Sequence, residues 1–266
     1  MSTPYKMYHP VQEVTSMDTH GQCWHGETVD EGIEICPYQL IETVFRKYLP
    51  RNGRVLEAGC GLGRWVFYLQ RLGYEIIGID LAADALRVVR EYDKNAPVRS
   101  DDILHTSFHD KHFDAVISLG VVEHFEEGPQ EALGEAWRLL KDDGLLFVSV
   151  PVQNVSRKLF ANPLKEFKRW LRKHRGAQYT FEEYRYTRGQ FTERLHAANF
   201  EVVQIVPDDY RAPKNMGLYV DYPFLRHSTN KWELNGAGKM LSAALFSLSP
   251  WLVCAGALWV CRKKIP

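Results

Sequence analysis

Short apolar runs alternate with amphipathic stretches through most of the chain. Runs of strand length are separated by segments whose apolar positions recur at helical spacing. The predicted strands are 54–57, 75–79, 97–100, 113–118, 145–150, 200–206 and 257–261. The predicted helices are 37–48, 63–72, 82–92, 130–140 and 188–198. This alternation predicts an α/β fold in which helices cover both faces of a mostly parallel sheet.

Three segments depart from this alternation. Residues 1–36 are rich in Gly, His, Thr and acidic residues and have little periodicity, so we expect an irregular N-terminal arm or lid. The rest of the chain, 37–266, is expected to form one domain with two insertions, at about 152–187 and 207–238. The first residues are polar, which argues against a secretion signal.

The charge balance of the chain narrows the classes of partner. Lys and Arg total 33 and Asp and Glu total 33, so the net charge is zero. Because no overall field directs the molecule to a nucleic acid, a nucleic-acid partner is not expected. The five cysteines lack metal-ligand spacing, which indicates reduced thiols and a cytoplasmic location.

The most informative segment is a glycine-rich turn between the first of these strands and the helix after it. From Glu57 to Gly63 it runs Glu-Ala-Gly-Cys-Gly-Leu-Gly. Glycines let a ligand approach the backbone, and free N–H groups at a helix N-terminus attract a carboxylate or phosphate. A dinucleotide fingerprint would need glycine in place of Arg64, and no Gly-Lys-Ser/Thr follows for a P-loop. Glu57 suits an ammonium group better than a pyrophosphate.

Together with residues downstream, this turn resembles motif I of the class I S-adenosylmethionine (SAM)-dependent methyltransferases. Asp80 ends the next predicted strand, like the family's ribose-binding acid. Asp102 follows the third strand, like the acid that meets the adenine amino group. Segments 113–124 and 140–148 are similar to the family's fourth strand and its turn into the fifth. The chain most resembles the methyltransferase type 11, or ubiquinone- and menaquinone-biosynthesis-like, group.

The resemblance implies a fold, a cofactor and a set of binding residues. The fold is a Rossmann-like, doubly wound sheet of seven strands, mostly parallel, with an antiparallel last strand. The cofactor is SAM: Glu57 would face its methionine ammonium and Asp80 its ribose. Asp102 would face the adenine, with Asp101 as second choice. The implied cofactor-binding residues are Glu57, Gly59, Cys60, Gly61, Asp80, Leu81, Asp102, Ile103 and Leu119.

His124 is the candidate catalytic residue. It follows Glu123 just after the fourth strand of the predicted sheet, near the edge where ligands bind in open α/β sheets. It could take the proton of an oxygen or nitrogen acceptor. The alternative, which we favour, is that Glu123 and His124 hydrogen-bond the loop and the following helix. Family members that hold a metal here use an extra acid where this chain has Gly120, so no metal is expected.

A basic stretch in the first predicted insertion suggests a partner. Residues 155–175 contain eight Lys or Arg and one Glu, and their apolar residues fall near one helical face. Such a helix can lie on an anionic membrane or bind phosphate groups. An equal alternative is a solvated helix that packs its apolar side on the core.

The uncharged segment 240–261 is long enough to span a bilayer. However, Pro250 interrupts it and three serines dilute it. The predicted sheet also needs a last strand near the C-terminus, which 257–261 fits. We therefore expect a buried helix followed by the last strand.

The primary functional hypothesis is a SAM-dependent methyltransferase that acts on a small-molecule or a lipid- or sugar-linked acceptor. Its expected location is the cytoplasm, peripherally at the inner membrane surface. The alternative is a SAM-binding sensor or partner subunit without methyl transfer. A third hypothesis, an NAD-linked oxidoreductase, requires NADH binding, which the incomplete dinucleotide fingerprint disfavours.

Overall fold

The computed structural model describes residues 2–11, 28–211, 214–230 and 232–265, and the structural statements below concern these residues. The strands, numbered along the chain, are β1 (Tyr5–Pro10), β2 (Arg54–Ala58), β3 (Glu75–Asp80), β4 (Val98–Ser100), β5 (Phe113–Leu119), β6 (Leu140–Pro151), β7 (Tyr179–Arg185), β8 (Phe200–Asp208), β9 (Tyr210–Arg211), β10 (Lys214–Asn215) and β11 (Gly256–Lys263). The helices are α1 (Val29–Ile35), α2 (Leu40–Tyr48), α3 (Arg64–Arg71), α4 (Ala83–Tyr92), α5 (Gln130–Leu139), α6 (Asn162–Lys173), α7 (Arg188–Ala197) and α8 (Gly236–Leu248).

A seven-stranded sheet in the order β4-β3-β2-β5-β6-β11-β8 forms the centre of the structure. The first five strands of this order, β4, β3, β2, β5 and β6, are parallel to one another. β11 pairs antiparallel with both β6 and β8. The predicted Rossmann-like, doubly wound sheet with an antiparallel last strand is therefore confirmed. The largest boundary difference is in β6, predicted over 145–150. Its first residue, Leu140, already pairs with Phe113 before a shift in register, so the expected turn is part of the strand.

The two faces of the sheet carry separate apolar cores. Helices α1 to α4 cover one face, where Phe45 packs edge-on against Trp65 with ring centroids 5.0 Å apart. Helices α5 and α7 cover the other face, where Phe191 meets Trp259 at 4.8 Å. Parallel strands buried on both faces have nearly continuous apolar sequences, which is why the apolar pattern located them.

The N-terminal segment contains regular structure. β1 pairs antiparallel with β7, with Tyr5 opposite Arg185, and α1 begins with a capping box formed by Thr28 and Glu31. The expectation of an irregular arm is therefore wrong for β1 and for α1. β1 pairs with a strand that lies far along the chain, and no local sequence pattern reveals this pairing. Residues 12–27 of the expected arm lie outside the described residues. The division into an arm, 1–36, and a domain with two insertions stays a prediction.

The basic segment of the first predicted insertion is helical. A π-helical turn, Arg157–Ala161, leads into α6, which confirms the helix predicted within 155–175. Its apolar side faces solvent: Phe160, Phe167 and Trp170 are 66%, 57% and 54% exposed. The alternative in which this helix packs its apolar side on the core is therefore wrong.

The apolar segment 240–261 forms part of α8 and then β11, which confirms the last strand. The helix is not buried as expected, because Met240 and Leu248 are each 77% exposed. Gly238 and Ser242 are the buried residues of α8, and a Cβ at Gly238 would lie 2.9 Å from the Leu225 carbonyl oxygen. Leu245 also packs on a small apolar cluster, and Phe246 stacks on Tyr210 with ring centroids 5.6 Å apart. Within the described ranges, no helix has the length and apolarity needed to cross a membrane.

Candidate functional site

Three parallel strands end side by side at the carboxyl edge of the sheet. Asp80, at the end of β3, lies opposite Ser100, at the end of β4. Just after β2, the N–H of Gly59 donates to the Ile79 carbonyl over 2.8 Å. This register places Glu57, Asp80 and the acids after Ser100 at one edge, as the sequence predicts.

The turn between β2 and α3 depends on glycine. Gly59, Gly61 and Gly63 have φ values of 83°, 51° and 70°, in the left-handed region that side chains disfavour. A Cβ at Gly59 would also lie 2.5 Å from a methyl carbon of Val121. The turn can therefore offer backbone to a ligand with no side chain in the way, and the predicted order of strand, glycine turn and helix is confirmed.

The side chain of Cys60 points into the core. It is 4% exposed, and a Cβ at Gly78 would lie 2.8 Å from its Sγ. Burial raises the pKa of this thiol well above its usual value. Cys60 can therefore contribute its backbone to a ligand at the edge, but not its thiol.

Glu57 is a buried acid with an unused hydrogen-bonding atom. Its side chain is 3% exposed, and among the described residues its Oε2 has no hydrogen-bond partner. Burial raises the pKa of Glu57 from 4.5 to about 8, although the Arg64 guanidinium and the Val66 N–H oppose the rise. A buried carboxyl group without a partner is costly, so a ligand that brings an ammonium group here would complete it.

Asp80 is fixed by the backbone around it. One carboxylate oxygen accepts the Gly61 N–H at 2.7 Å, and the other accepts the Ala82 N–H at 2.8 Å. A carboxylate offers about four acceptor positions, so two remain for the hydroxyl groups of a ligand. The acid that would bind a ribose thus also holds the glycine turn in place.

The two acids after β4 have different surroundings. Asp101 accepts hydrogen bonds from the Ser107 hydroxyl and the Arg99 guanidinium, each at 2.8 Å. Although partial burial raises its pKa, these bonds lower the pKa of Asp101 below its usual value. Asp102 accepts a local bond from the Leu104 N–H at 2.9 Å. Because Asp101 holds its own loop, Asp102 stays the better candidate for the adenine.

The apolar residues predicted beside these acids differ in access. Leu81 is 59% exposed, as contact with a ligand ring requires. Ile103 is 9% exposed and packs with Ala132 and Leu133 of α5, so most of its side chain belongs to the core. Leu119, at the end of β5, is partly buried. The roles of these three residues stay predictions.

The turn after β5 contains two ionisable residues. The Nδ1 of His124 lies 2.7 Å from the Glu182 carbonyl oxygen of β7, so it must carry the proton that this bond needs. Glu123 is 2% exposed and burial raises its pKa to about 7, while its Oε2 has no partner within the described structure. The sequence motif indicated Glu123 and His124 together, but it showed neither the burial of this acid nor the buried Tyr186 hydroxyl, which likewise has no partner among the described residues.

Metal-ligating side chains do not gather at this edge. In the part of the chain that the structure describes, no group of three His, Cys, Asp or Glu is placed to hold an ion. Gly120, with a φ of 70°, turns the chain after β5. The expectation that no metal is bound stays a prediction.

Comparison with known proteins assigns the family. A model of the methyltransferase domain matches residues 34–205. The chain belongs to this methyltransferase family. SAM donates the methyl group in this family, so SAM is the cofactor of this chain.

Individual relatives of this methyltransferase are distant. The ubiquinone biosynthesis O-methyltransferase of Glaesserella parasuis is 30% identical over 153 residues, which are 52% of this chain and 63% of that protein. The chain therefore spans less than two thirds of that relative. A SAM-dependent methyltransferase of Methanosarcina mazei has a TM-score of 0.58 at 18% identity, over 84% of this chain and 98% of its own. A further neighbour is a chain from the complex between the Haloferax volcanii Trm112 methyltransferase activator and a methyltransferase. Its TM-score is 0.61 at 16% identity, over 94% of this chain and 100% of its own. These two likenesses show the fold.

The first prediction concerns the buried acid of this methyltransferase. In the folded protein the Glu57 carboxyl group keeps its proton up to about pH 8. In the unfolded chain it loses this proton near pH 4.5. The free energy of unfolding of the ligand-free protein should therefore fall as pH rises from 4.5 to 8. Glu57→Gln removes this fall, so at pH 8 the variant should be more stable by about 2–4 kcal/mol. It should also bind SAM more weakly by about 1.5–3 kcal/mol.

Urea unfolding between pH 5 and 8 and calorimetric SAM titration measure the two effects. Glu34→Gln, an exposed glutamate on α1, is the matched control and should change neither. A Glu57→Gln variant with unchanged SAM affinity would contradict the assignment of Glu57.

The second prediction concerns Asp80. Replacing it by Ala removes the hydrogen bonds expected to the ribose and those to the Gly61 and Ala82 N–H groups. SAM binding should weaken by on the order of 1–3 kcal/mol in calorimetric titration. The control is Asp84→Ala, because the side chain of Asp84 is 72% exposed on α4. Equal affinity of the Asp80 variant and the wild type would show that the ribose lies elsewhere.

Proposed function

We propose that this chain transfers the methyl group of SAM to a small-molecule acceptor or to a lipid- or sugar-linked one. The observation that supports this most is the buried Glu57 carboxyl group, whose Oε2 has no partner in the described residues and lies beside the glycine turn. Burying such a group without a partner costs free energy, and the ammonium group of a ligand would supply that partner.

The chain's own residues supply position in this proposal. SAM, when bound, supplies a methyl group on a positively charged sulfur. Glu57 holds the ammonium, Asp80 the ribose and Asp102 the adenine, while Gly59 and Gly61 leave room for backbone contact. The remaining predicted contacts are Cys60 through its backbone, Leu81, Ile103 and Leu119. Holding two reactants in attack geometry can contribute about 7–11 kcal/mol to lowering the barrier.

The test is methyl transfer itself. The protein is incubated with methyl-tritiated SAM and small-molecule and lipid fractions from cells of its source, and labelled products are separated. We expect label in one fraction with the wild type, and much less label with Glu57→Gln at a SAM concentration below the Kd of the variant. Tight SAM binding without transfer to any fraction would instead support the alternative, a SAM-binding sensor or partner subunit.

His124 is assigned a positioning role, with general-base catalysis as the alternative. Its Nδ1–H bond to the Glu182 carbonyl ties the turn after β5 to β7. With the proton on Nδ1, the neutral ring would leave Nε2 as the basic nitrogen. Partial burial lowers the pKa of His124, but the carboxylate of Glu123 and the Glu182 carbonyl raise it above its usual value overall.

The third prediction separates these roles. His124→Asn keeps an N–H donor for the Glu182 carbonyl but has no basic nitrogen. We expect its kcat to fall by less than about tenfold. Removal of a general base would lower kcat by about 100-fold or more. His124→Leu, which loses the donor, should unfold at a lower temperature. A loss of about 100-fold for His124→Asn at an unchanged melting temperature, together with loss of the wild-type rise of kcat with pH, would make His124 the base.

We also propose that α6 docks the protein peripherally on the anionic inner surface of the cytoplasmic membrane. Leu159, Phe160, Leu164, Phe167 and Trp170 are between 48% and 66% exposed. An apolar helical face with basic flanks is the pattern of an interfacial helix. Because α6 follows β6 closely, it starts near the same carboxyl edge as the cofactor residues. Docking would thus bring a lipid-linked acceptor to that edge.

Not all basic residues of this segment are available to lipids. Arg157 is 2% exposed and donates to Asp221 at 2.5 Å, and Lys165 donates to the same carboxylate at 2.6 Å. Arg169 pairs with Glu166. The two bonds to Asp221 attach the helix to the protein, whereas the Arg169–Glu166 pair lies within α6. The outward positive charge is therefore smaller than the sequence count of eight bases suggests. Apolar insertion must therefore contribute much of the binding.

The fourth prediction tests this surface. The protein should float with vesicles of equal phosphatidylglycerol and phosphatidylcholine at low salt, and less at high salt, because screening weakens charge attraction. Phe167→Ala combined with Trp170→Ala should reduce the floated fraction at least about fivefold. Val203→Ala is the control, since Val203 is an exposed apolar residue on β8, 38% accessible. Absence of flotation at low salt would remove the membrane proposal.

A further inference from the structure

A concave region lies at the end of β8, near the carboxyl edge of the sheet where the candidate cofactor residues also lie. It is a cavity of about 170 Å³ between the segment that begins α2 and the segment that follows β8. The space far exceeds the ~10–15 Å³ that admits one water molecule. Gln39 and Tyr38 line it from one side and Asp208, Asp209 and Tyr210 from the other.

Its position suits an acceptor. Asp208 ends β8 opposite Gly256, which also lies opposite Pro151 at the end of β6, so the cavity is at the carboxyl edge. On its other side the wall includes Pro37. The residue before it, the buried Cys36, has its Sγ 3.8 Å from the Arg64 carbonyl oxygen at the start of α3. The cavity thus adjoins the helix that follows the glycine turn.

Two buried oxygen atoms here have no hydrogen-bond partner in the described structure. Gln39 is the residue before α2, yet its side chain makes no capping bond. It is 6% exposed, and its Oε1 has no partner among the described residues. The same holds for Oδ1 of Asp209, which also lines the cavity. Both atoms are acceptors, so what completes them must donate hydrogen bonds.

The charges around the cavity nearly balance. Asp208 is 8% exposed, and burial together with the Asp209 carboxylate raises its pKa to about 7. The Nζ of Lys214 lies 3.6 Å from Oδ2 of Asp209, and Arg211 also lines the space. A strongly charged ligand would gain little binding energy from such a lining. A neutral ligand that donates several hydrogen bonds would gain more.

The backbone at Asp209 is held in a costly conformation. Its φ is 54°, and its carbonyl oxygen accepts the N–H groups of Met216 and Gly217 at 3.0 and 3.1 Å. A backbone conformation of this kind persists where the surroundings enforce it, often at ligand sites. Here it fixes both acids at the cavity.

We propose that this cavity is the acceptor subsite for a neutral, hydroxyl-rich group such as a sugar ring, whose O–H groups donate to Gln39, Asp208 and Asp209. Tyr38, which is 71% exposed, supplies an aromatic face for the ring, as in many small-ligand sites, whereas the Tyr210 ring is stacked on Phe246. This inference rests on the proposed methyl transfer, because it names the chemical class of the acceptor.

Saturation-transfer NMR on the full chain with S-adenosylhomocysteine tests the proposal. The probes are the neutral sugars glucose, galactose, mannose, rhamnose and N-acetylglucosamine, with ethanolamine and gluconate as charged comparisons. We expect at least one neutral sugar to bind more strongly than both charged probes. Gln39→Leu should weaken that binding at least about tenfold, and Gln39→Glu, which keeps an acceptor oxygen, should restore it. The control is Gln70→Leu, an exposed glutamine on α3.

The outcomes distinguish this subsite from the proposed function. All variants should keep wild-type affinity for S-adenosylhomocysteine, which shows that they fold. Binding of no sugar, stronger binding of a charged probe, or equal sugar binding by Gln39→Leu would each overturn the subsite. Methyl transfer to a compound without hydroxyl groups, unaffected by Gln39→Leu, would overturn it while leaving the proposed function intact. Sugar binding that depends on Gln39 without any methyl transfer would instead count against the proposed function.

Discussion

The attachment of the glycine turn to β3 determines where every other part of the site can lie. The Ile79 carbonyl accepts the N–H groups of Gly59 and Cys60, and the Asp80 carboxylate accepts the N–H of Gly61. These bonds run from one parallel strand to the loop after its neighbour, so the turn cannot move without disturbing the sheet. The same bonds leave Glu57 enclosed behind the turn, with one oxygen lacking a partner in the described structure. A rigid glycine turn and a costly buried acid are thus parts of one arrangement.

Much of the fold could be predicted from the sequence, because the central strands are buried on both faces and have apolar sequences of strand length. The order of strand, glycine turn and helix was also evident, because only glycine tolerates the φ values of this turn. The candidate acids could be named because each lies at or just after a strand end, within segments that resemble the family's motifs.

Features that depend on distant contacts could not be predicted. β1 looks irregular until β7 is placed beside it. The apolar residues of α6 and α8 were expected to face either a membrane or the core, and the sequence does not distinguish these. Arg157 counted as one of many surface bases, yet it is buried against Asp221. Burial decides the chemistry of Glu123 and Gln39 as well, and neither stands in a pattern that indicates burial.

The features outside the glycine turn form a coherent picture of how an acceptor could arrive. The exposed apolar side of α6, the buried acids after β8 and the cofactor residues all belong to segments that start from the carboxyl edge of one sheet. In open α/β sheets this is the edge where ligands bind. An acceptor with an apolar anchor and a hydroxyl-rich head would use both kinds of surface.

The central claim is that Glu57, Asp80 and Asp102 grip one adenosyl ligand at this edge. A crystal structure of the chain with S-adenosylhomocysteine tests it most directly. The ligand's amino nitrogen should lie within about 3.2 Å of Glu57 Oε2, with the ribose hydroxyls on Asp80 and the adenine beside Asp102. A ligand bound away from the glycine turn, or with its amino group directed away from Glu57, would contradict the claim.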